Sequence, residues 1–285
     1  MPSSPSAASG PREGATSEPR PEAARGGSRI ARLIAWRAFR LLAPWVVLVA
    51  LWYGLRYSGL FRPQLIPTPD AVAVKFWTLL TRDGLLLDMY MSTQRVFVGV
   101  VLGTLCAVPV GFLLGWYRGL RSFMDPLINF FRALPPIALI PLVIVYFGIG
   151  ETAKVIILFY ASFFASVIVM YEGISQISPI YIRVARTLGA SEFEIFHRVI
   201  IPLSIPHMLT ALRVALGVAW ATLVASELVA AQQGLGAVIQ DASAYFQLDT
   251  IYMGIICIGF IALFMDMALR ALTRRLLSWQ EGSTD

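Results

Sequence analysis

Few residues in this chain could do chemistry, and most of them stand in or at the ends of long apolar runs: Arg95, Asn129, Arg132, Arg213, Glu227, Asp266 and Arg270. Charged groups in such runs are costly in lipid, so they pair, face a polar interior or mark a pathway. Asp266 and Arg270 are four residues apart, the spacing of an ion pair on one helix face. Arg95 and Glu227 fall toward the same, outer, end of their runs, which makes them candidates to pair or to face a translocation path near a gate. Arg213 reads as a side chain that snorkels to the inner surface or draws in an anionic substrate. Asn129 and Arg132 precede Pro135 and Pro136 and are candidates to line an inner cavity. Catalysis has no constellation here: G-x-S-x-G, H-E-x-x-H, a P-loop and paired cysteines are all absent from the sequence. Cys106 and Cys257 each sit inside an apolar run and read as reduced packing residues. No catalytic residue, metal site or resident cofactor is expected in this chain.

The elements that must position these residues are membrane helices. Of 285 residues, 57% are hydrophobic and 14% charged, too apolar a balance for a soluble chain. Several runs approach the ~20 apolar residues that cross a bilayer, and they are continuous, which argues against a β-barrel. The expected fold is an all-α membrane protein with six transmembrane helices, near residues 41–57, 96–116, 124–147, 152–171, 208–230 and 251–272. The net charge of +6 is not read as a nucleic-acid footprint, because the basic residues flank the spans. Arginines in segments 118–121, 183–198 and 270–275 place those segments, and both termini, in the cytoplasm. Residues 1–29 read as a disordered cytoplasmic tail. Residues 30–92 should hold the first span and an outer interfacial segment, and 93–277 the core. Thr68-Pro69-Asp70 opens a helix, Asp83-Gly84 is a turn, residues 118–121 are a short loop, and Gly148 to Glu151 is a tight loop. The prolines at 135, 136 and 141 should break the third span, and residues 231–250, with Gly234-Leu235-Gly236, read as a polar loop.

One stretch, residues 178–206, is neither apolar enough to span nor flexible enough to be a linker. Ser178 can N-cap a helix whose first residue is Pro179. Gly189 can end that helix in the left-handed conformation. Ser191 and Glu194 have the spacing of a capping box for a second helix, which Pro202 and Pro206 should stop. Ile180, Val184, Leu188, Phe193, Phe196 and Ile200 would form an apolar face; Arg183, Arg186, Glu192, His197 and Arg198 would form a charged one. Such a corner should lie flat against the spans and offer a rigid edge to a partner.

The spacing from Gly189 to Val199-Ile200-Ile201-Pro202 resembles the "EAA" loop of membrane subunits of binding-protein-dependent ABC importers. Ala185 matches the second alanine of that loop, whereas Arg183 stands at the glutamate position and Val184 at the first alanine. Residues 184–191, Ile66-Pro67-Thr68-Pro69, Ser92 with Arg95-Val96, Ala219-Trp220 with Glu227, Gly234-Leu235-Gly236 and Arg274-Arg275-Leu276 are similar to the branch importing sulfonates, taurine and nitrate. The resemblance implies a type I ABC importer transmembrane domain in a bacterial inner membrane. It implies a permease homodimer, two cytoplasmic ATPase subunits that bind the ATP, and a periplasmic substrate-binding protein. Residues 172–206 would be the coupling loop, with Arg183, Ala185, Leu188, Gly189, Ala190, Ser191, Phe193 and Pro202 at the ATPase contact. The cargo would be a small organic anion, taurine- or nitrate-like, moved by alternating access. The rival reading is a secondary transporter or channel working without an ATPase; no mid-span acid accompanies the broken third span to serve it.

Overall fold

A computed structural model describes residues 24–230 and 232–277. The helix α1 (Ala24–Tyr57) forms one unit and the chain from Ser58 onward a second. Because α1 begins at Ala24, residues 24–29 of the expected tail are helical; residues 1–23 lie outside the described residues. Among its described residues, the apolar stretch Leu42–Tyr57 is shorter than a full span.

The second unit opens with α2 (Pro69–Arg82), where the Thr68 side chain accepts from Ala71 N–H, Pro69 stands at the first position and Asp70 lies in the first turn. Gly84, at φ +71°, turns the chain into α3 (Leu85–Trp116), so this helix starts well before the expected span. The helix α4 (Arg118–Ala133) follows at once, so Arg118 and Arg121 are helical and not in a loop. The helix α5 (Pro136–Phe147) is bent by 88° from α4, the break the prolines predict. Then come α6 (Glu151–Ser175), α7 (Pro179–Thr187), α8 (Glu192–Ile195), a π-helical turn (Phe196–Ile200), α9 (Ile201–Ala230), α10 (Leu235–Ala244) and α11 (Leu248–Leu276). Among the described residues, four helices are long and apolar enough to cross a membrane, and the bent α4–α5 pair makes a fifth if counted as one.

Two further expectations are corrected. Pro202 and Pro206 do not stop the second corner helix: the chain stays helical from Glu192 to Val229. Ile201 N–H reaches back five residues to Phe196 O, and this widened turn admits the ring of Pro202 where a tight turn would clash. The Ser204 hydroxyl bonds the Ile200 carbonyl at 2.7 Å just beyond. The supposed polar loop 231–250 contains α10, which buries Leu235, Gly236, Ala237, Ile239 and Ala242.

The core is built on α3, α6 and α9. The first two run parallel with a constant register: Gly99 meets Leu158, Gly103 meets Ser162, Gly111 meets Met170 and Gly115 meets Ile174. Residues four apart share a helix face, so this is a small-residue stripe that lets two helices approach closely. Thr104 and Ser166 hydroxyls bond across the seam at 3.1 Å. A Cβ on Gly103 would lie 2.7 Å from Ser162 Cβ, and one on Gly115 2.6 Å from Ile174 Cγ2. Gly103→Val is therefore expected to push the helices apart at a cost of about 1–3 kcal/mol. Thermal unfolding of the purified chain checks this; an unchanged midpoint would mean that the seam is loose.

Candidate functional site

The corner is built by local hydrogen bonds. Ser178 Oγ accepts from Ile180 N–H at 3.4 Å. At the other end of α7, Leu188, Gly189 and Ala190 N–H donate to the carbonyls of Val184, Arg186 and Ala185, with Gly189 at φ +82°. A residue with a Cβ would be strained there. Ser191 Oγ then accepts from Glu194 N–H at 3.3 Å, and the Glu194 carboxylate accepts from Ser191 N–H at 3.0 Å. Arg186 bridges the corner to Glu192 at 2.8 Å. Each terminus is closed by its neighbours, so the corner is a stiff element.

Its packed face differs from the expected one. Leu188 is 82% and Phe193 76% exposed, and Ile180 and Val184 also point outward. The face against the bundle carries Ile182, Ala185, Ala190, Ile195, Phe196 and Ile200, seated on Phe112, Met170, Ile174 and Ala211. Two apolar stripes run along α7, and the one with the smaller side chains permits the closer approach. Ala185 and Ala190 are thus half-buried beneath the corner, whereas Leu188, Gly189, Ser191 and Phe193 lie on its outer side and Arg183, also exposed, borders a cavity at the foot of α7. Pro202 lies beyond the corner, at the second position of α9.

A second polar assembly lies at the opposite end of the core. Arg95, from α3, is 3% exposed, and Glu227, from α9, is 1% exposed. They pair, with Arg95 Nη1 2.5 Å from Glu227 Oε1. The same carboxylate accepts from Ser92 Oγ at 2.8 Å and from Gly236 N–H at 2.8 Å. Arg95 also grips Glu151 with Nε and Nη2, at 2.5 and 2.6 Å, and donates to the Gln233 carbonyl at 2.7 Å. Lys154 completes the set on Glu151 at 2.9 Å, and Asp88 accepts from Gly234 N–H at 2.7 Å. A Cβ on Gly234 would lie 2.5 Å from both Arg95 Nη1 and Glu227 Oε1, so only glycine lets the backbone pass here. The network ties α3, α6, α9 and the start of α10 together. With every charge engaged, Arg95 and Glu227 present no free group to a pathway in this conformation. Asp88, Glu151 and Lys154 were missed by sequence reasoning, and Ser92 was noted beside Arg95 only as part of the family resemblance; the nearest other signals were Gly234-Leu235-Gly236 and the acid at the start of the fourth span.

The remaining candidates are dispersed. Arg213, about half exposed, pairs through Nε with Asp266 Oδ1 at 2.9 Å, while Arg270 holds the other oxygen at 2.7 Å, the expected i,i+4 pair. Asn129 is exposed and donates back to the Asp125 carbonyl at 2.9 Å. Arg132 lines a cavity of about 330 Å³ at the α4–α5 break, with Pro136, Tyr160 and Val214. There the Tyr160 hydroxyl donates to the Phe131 carbonyl, which also accepts from Leu134 N–H, so the end of α4 is tied to α6. Among the described residues, no three His, Cys, Asp or Glu side chains converge as a metal would need.

A family described as "Binding-protein-dependent transport system inner membrane component" matches residues 99–278, the whole stretch from the α3–α6 seam through the corner to the end of α11. The chain belongs to this family. It is an ABC importer permease. A probable ABC transporter permease of Brucella abortus is 46% identical over 230 residues, covering 81% of this chain and 91% of that one. The taurine transport system permease TauC of Escherichia coli is 35% identical, covering 82% and 86%. The putative aliphatic sulfonates transport permease SsuC of Bacillus subtilis is 30% identical, covering 85% and 87%. In fold, the permease is similar to a chain of the inward-facing MetNI methionine ABC transporter, with TM-score 0.58, 19% identity and 71% and 98% coverage.

Proposed function

We propose that this permease moves a small organic anion, a sulfonate such as taurine or a nitrate-like ion, into the cytoplasm by ATP-driven alternating access. The observation that carries the reading is the corner: a stiff, glycine-ended helix pair that packs one face on the core and leaves Leu188 and Phe193 exposed. Exposed large apolar side chains on a rigid, charged element suit a partner surface. We assign that surface to a cytoplasmic ATPase subunit, which hydrolyses the ATP and whose closure the corner transmits to α3, α6 and α9. The arginines at 118, 121, 183, 186, 274 and 275 support the cytoplasmic placement of this side and of both termini. A periplasmic binding protein delivers the cargo at the other side, where the Arg95–Glu227 network holds the outer ends of the helices in register. Two copies of the permease enclose the path. Asn129 and Arg132, exposed in a single copy beside the break, then face a watered interface instead of lipid. The names of the taurine and sulfonate relatives support the cargo class.

The test is uptake of labelled taurine into proteoliposomes carrying the permease, its ATPase subunits and a cognate binding protein. Uptake should require all three components and internal ATP. Uptake by the permease alone, driven by an ion gradient, would overturn the reading in favour of a secondary transporter.

A further inference from the structure

We propose that the cavity beneath the corner binds the phosphate group of an anionic phospholipid. The cavity, about 640 Å³, opens where the end of α3, the start of α4, the end of α6 and α7 meet. Its floor is apolar, with Trp116, Ile174, Ile182 and Ile200, and its rim carries Arg118, Arg121, Arg183 and Arg186 with Glu192 as the one acid. Arg186 is engaged by Glu192 at 2.8 Å. Arg121 lies over the Tyr171 ring, 4.6 Å from its centroid, and makes no ion pair within the cavity lining. Among the described residues, Arg118, Arg121 and Arg183 have no carboxylate within ion-pair distance; Asp125, one turn further along α4, is outside the lining. The rim therefore presents a local charge of +3, four arginines less one glutamate.

An independent feature points the same way. The helix α4 begins at this cavity with no side-chain cap and no acid in its first turn, so its N-terminal N–H groups add positive potential beside Arg118 and Arg121. Guanidinium groups and helix N-termini both suit phosphate oxygens. The apolar floor and the interfacial Trp116 suit a phosphodiester attached to glycerol and acyl chains better than a free hydrated ion. Basic pockets between membrane helices on the cytoplasmic side take lipid head groups. A lipid seated here would wedge α7 against α3 and α6, stiffening the root of the corner. Which leaflet supplies the lipid rests on the cytoplasmic placement proposed above; the phosphate chemistry does not.

The test uses the full-length chain in phosphatidylcholine nanodiscs with a trace of spin-labelled phosphatidylglycerol. Both leaflets are accessible there, and binding is read without transport, so this proposal and the transport reading fail separately. A saturable immobilised fraction should appear, displaced by unlabelled phosphatidylglycerol and not by phosphatidylcholine. Arg118→Ala and Arg183→Ala should each weaken it about fivefold, Arg118→Lys should retain most of it, and Arg275→Ala, outside the cavity, should leave it unchanged. Equal weakening by Arg275→Ala, or absence of a saturable fraction, would overturn the proposal. Displacement by inorganic phosphate at comparable affinity would overturn the lipid assignment in favour of a soluble phosphate compound. Complete displacement by purified ATPase subunits would assign the rim to a protein partner and overturn it too.

Discussion

Glu227→Ala is expected to lower the stability of the folded permease by about 3–5 kcal/mol, because it removes the buried one of the two carboxylates that pair with the buried Arg95 and leaves only the half-exposed Glu151. The cost reaches beyond the pair. Glu227 is also the acceptor for the Ser92 hydroxyl and for Gly236 N–H, and both buried donors would lose that acceptor, although Ser92 Oγ keeps the bond it accepts from Leu235 N–H. Glu227→Gln keeps the shape and one carbonyl acceptor, so it should cost distinctly less. Glu151→Gln should be milder again, since that side chain is 52% exposed and water can replace part of what it offers Arg95. Thermal unfolding in detergent orders the three variants. Hydrogen exchange locates the damage: the amides of Gly234, Leu235 and Gly236 should lose protection first, because the network is what holds the start of α10. The two roles open to Arg95 and Glu227 separate here. An anchor loses folded protein when broken, whereas a gate residue leaves folding intact and changes uptake alone. If Glu227→Ala unfolds at the wild-type temperature and its uptake is altered, the network is a gate and the anchoring role assigned to it is wrong.

That contrast also explains what the sequence could and could not show. The features legible beforehand are local. Thr68-Pro69-Asp70, Gly84, the Ser178 and Ser191 caps, the Gly189 turn, the break before Pro136 and the Asp266–Arg270 pair each depend on residues within a few positions of one another. Those missed are long-range. The Arg213–Asp266 contact joins residues 53 apart, so nothing near Arg213 in the sequence announces its partner. The start of α10 was not legible, because the Gly234, Leu235 and Gly236 N–H groups that open it are bonded by Asp88, Ser92 and Glu227, which come from other elements. The glycines of α3 show a four-residue spacing in the sequence, but the partner that makes the spacing matter is α6. Even Pro202, a local signal, misled: its usual meaning as a stop is cancelled by a widened turn that no propensity forecasts. In the corner, the caps were legible, but the choice between two apolar stripes was made by how closely the bundle lets α7 approach.

That choice yields the sharpest expectation about coupling. Leu188→Ala and Phe193→Ala remove side chains that are 82% and 76% exposed, so neither should measurably alter the permease's own unfolding. Each should nevertheless weaken ATPase-subunit binding by about 2 kcal/mol or more if these side chains are the anchors of the contact, and the pair together should abolish ATP-dependent uptake. Gly189→Pro tests the shape that presents them. Proline cannot adopt φ +82° and has no N–H for the Arg186 carbonyl, so the turn itself must open. Space is not the obstacle, since a Cβ on Gly189 would meet nothing within 4 Å. Gly189→Ala therefore isolates the backbone strain, about 1–2 kcal/mol, with the surface otherwise unchanged, and should fall between wild type and proline in uptake. Ala190→Trp acts from beneath: Ala190 is half-buried against the core, so a large ring there lifts the corner away while leaving its outer face intact. Coupling by this corner requires that all four positions lower uptake and ATPase stimulation together while the protein still inserts in the membrane. Normal uptake by Leu188→Ala/Phe193→Ala would place the ATPase contact elsewhere. Normal uptake by Gly189→Pro would mean that the corner need not be rigid, and transmission of force through α7 and α8 would have to be abandoned.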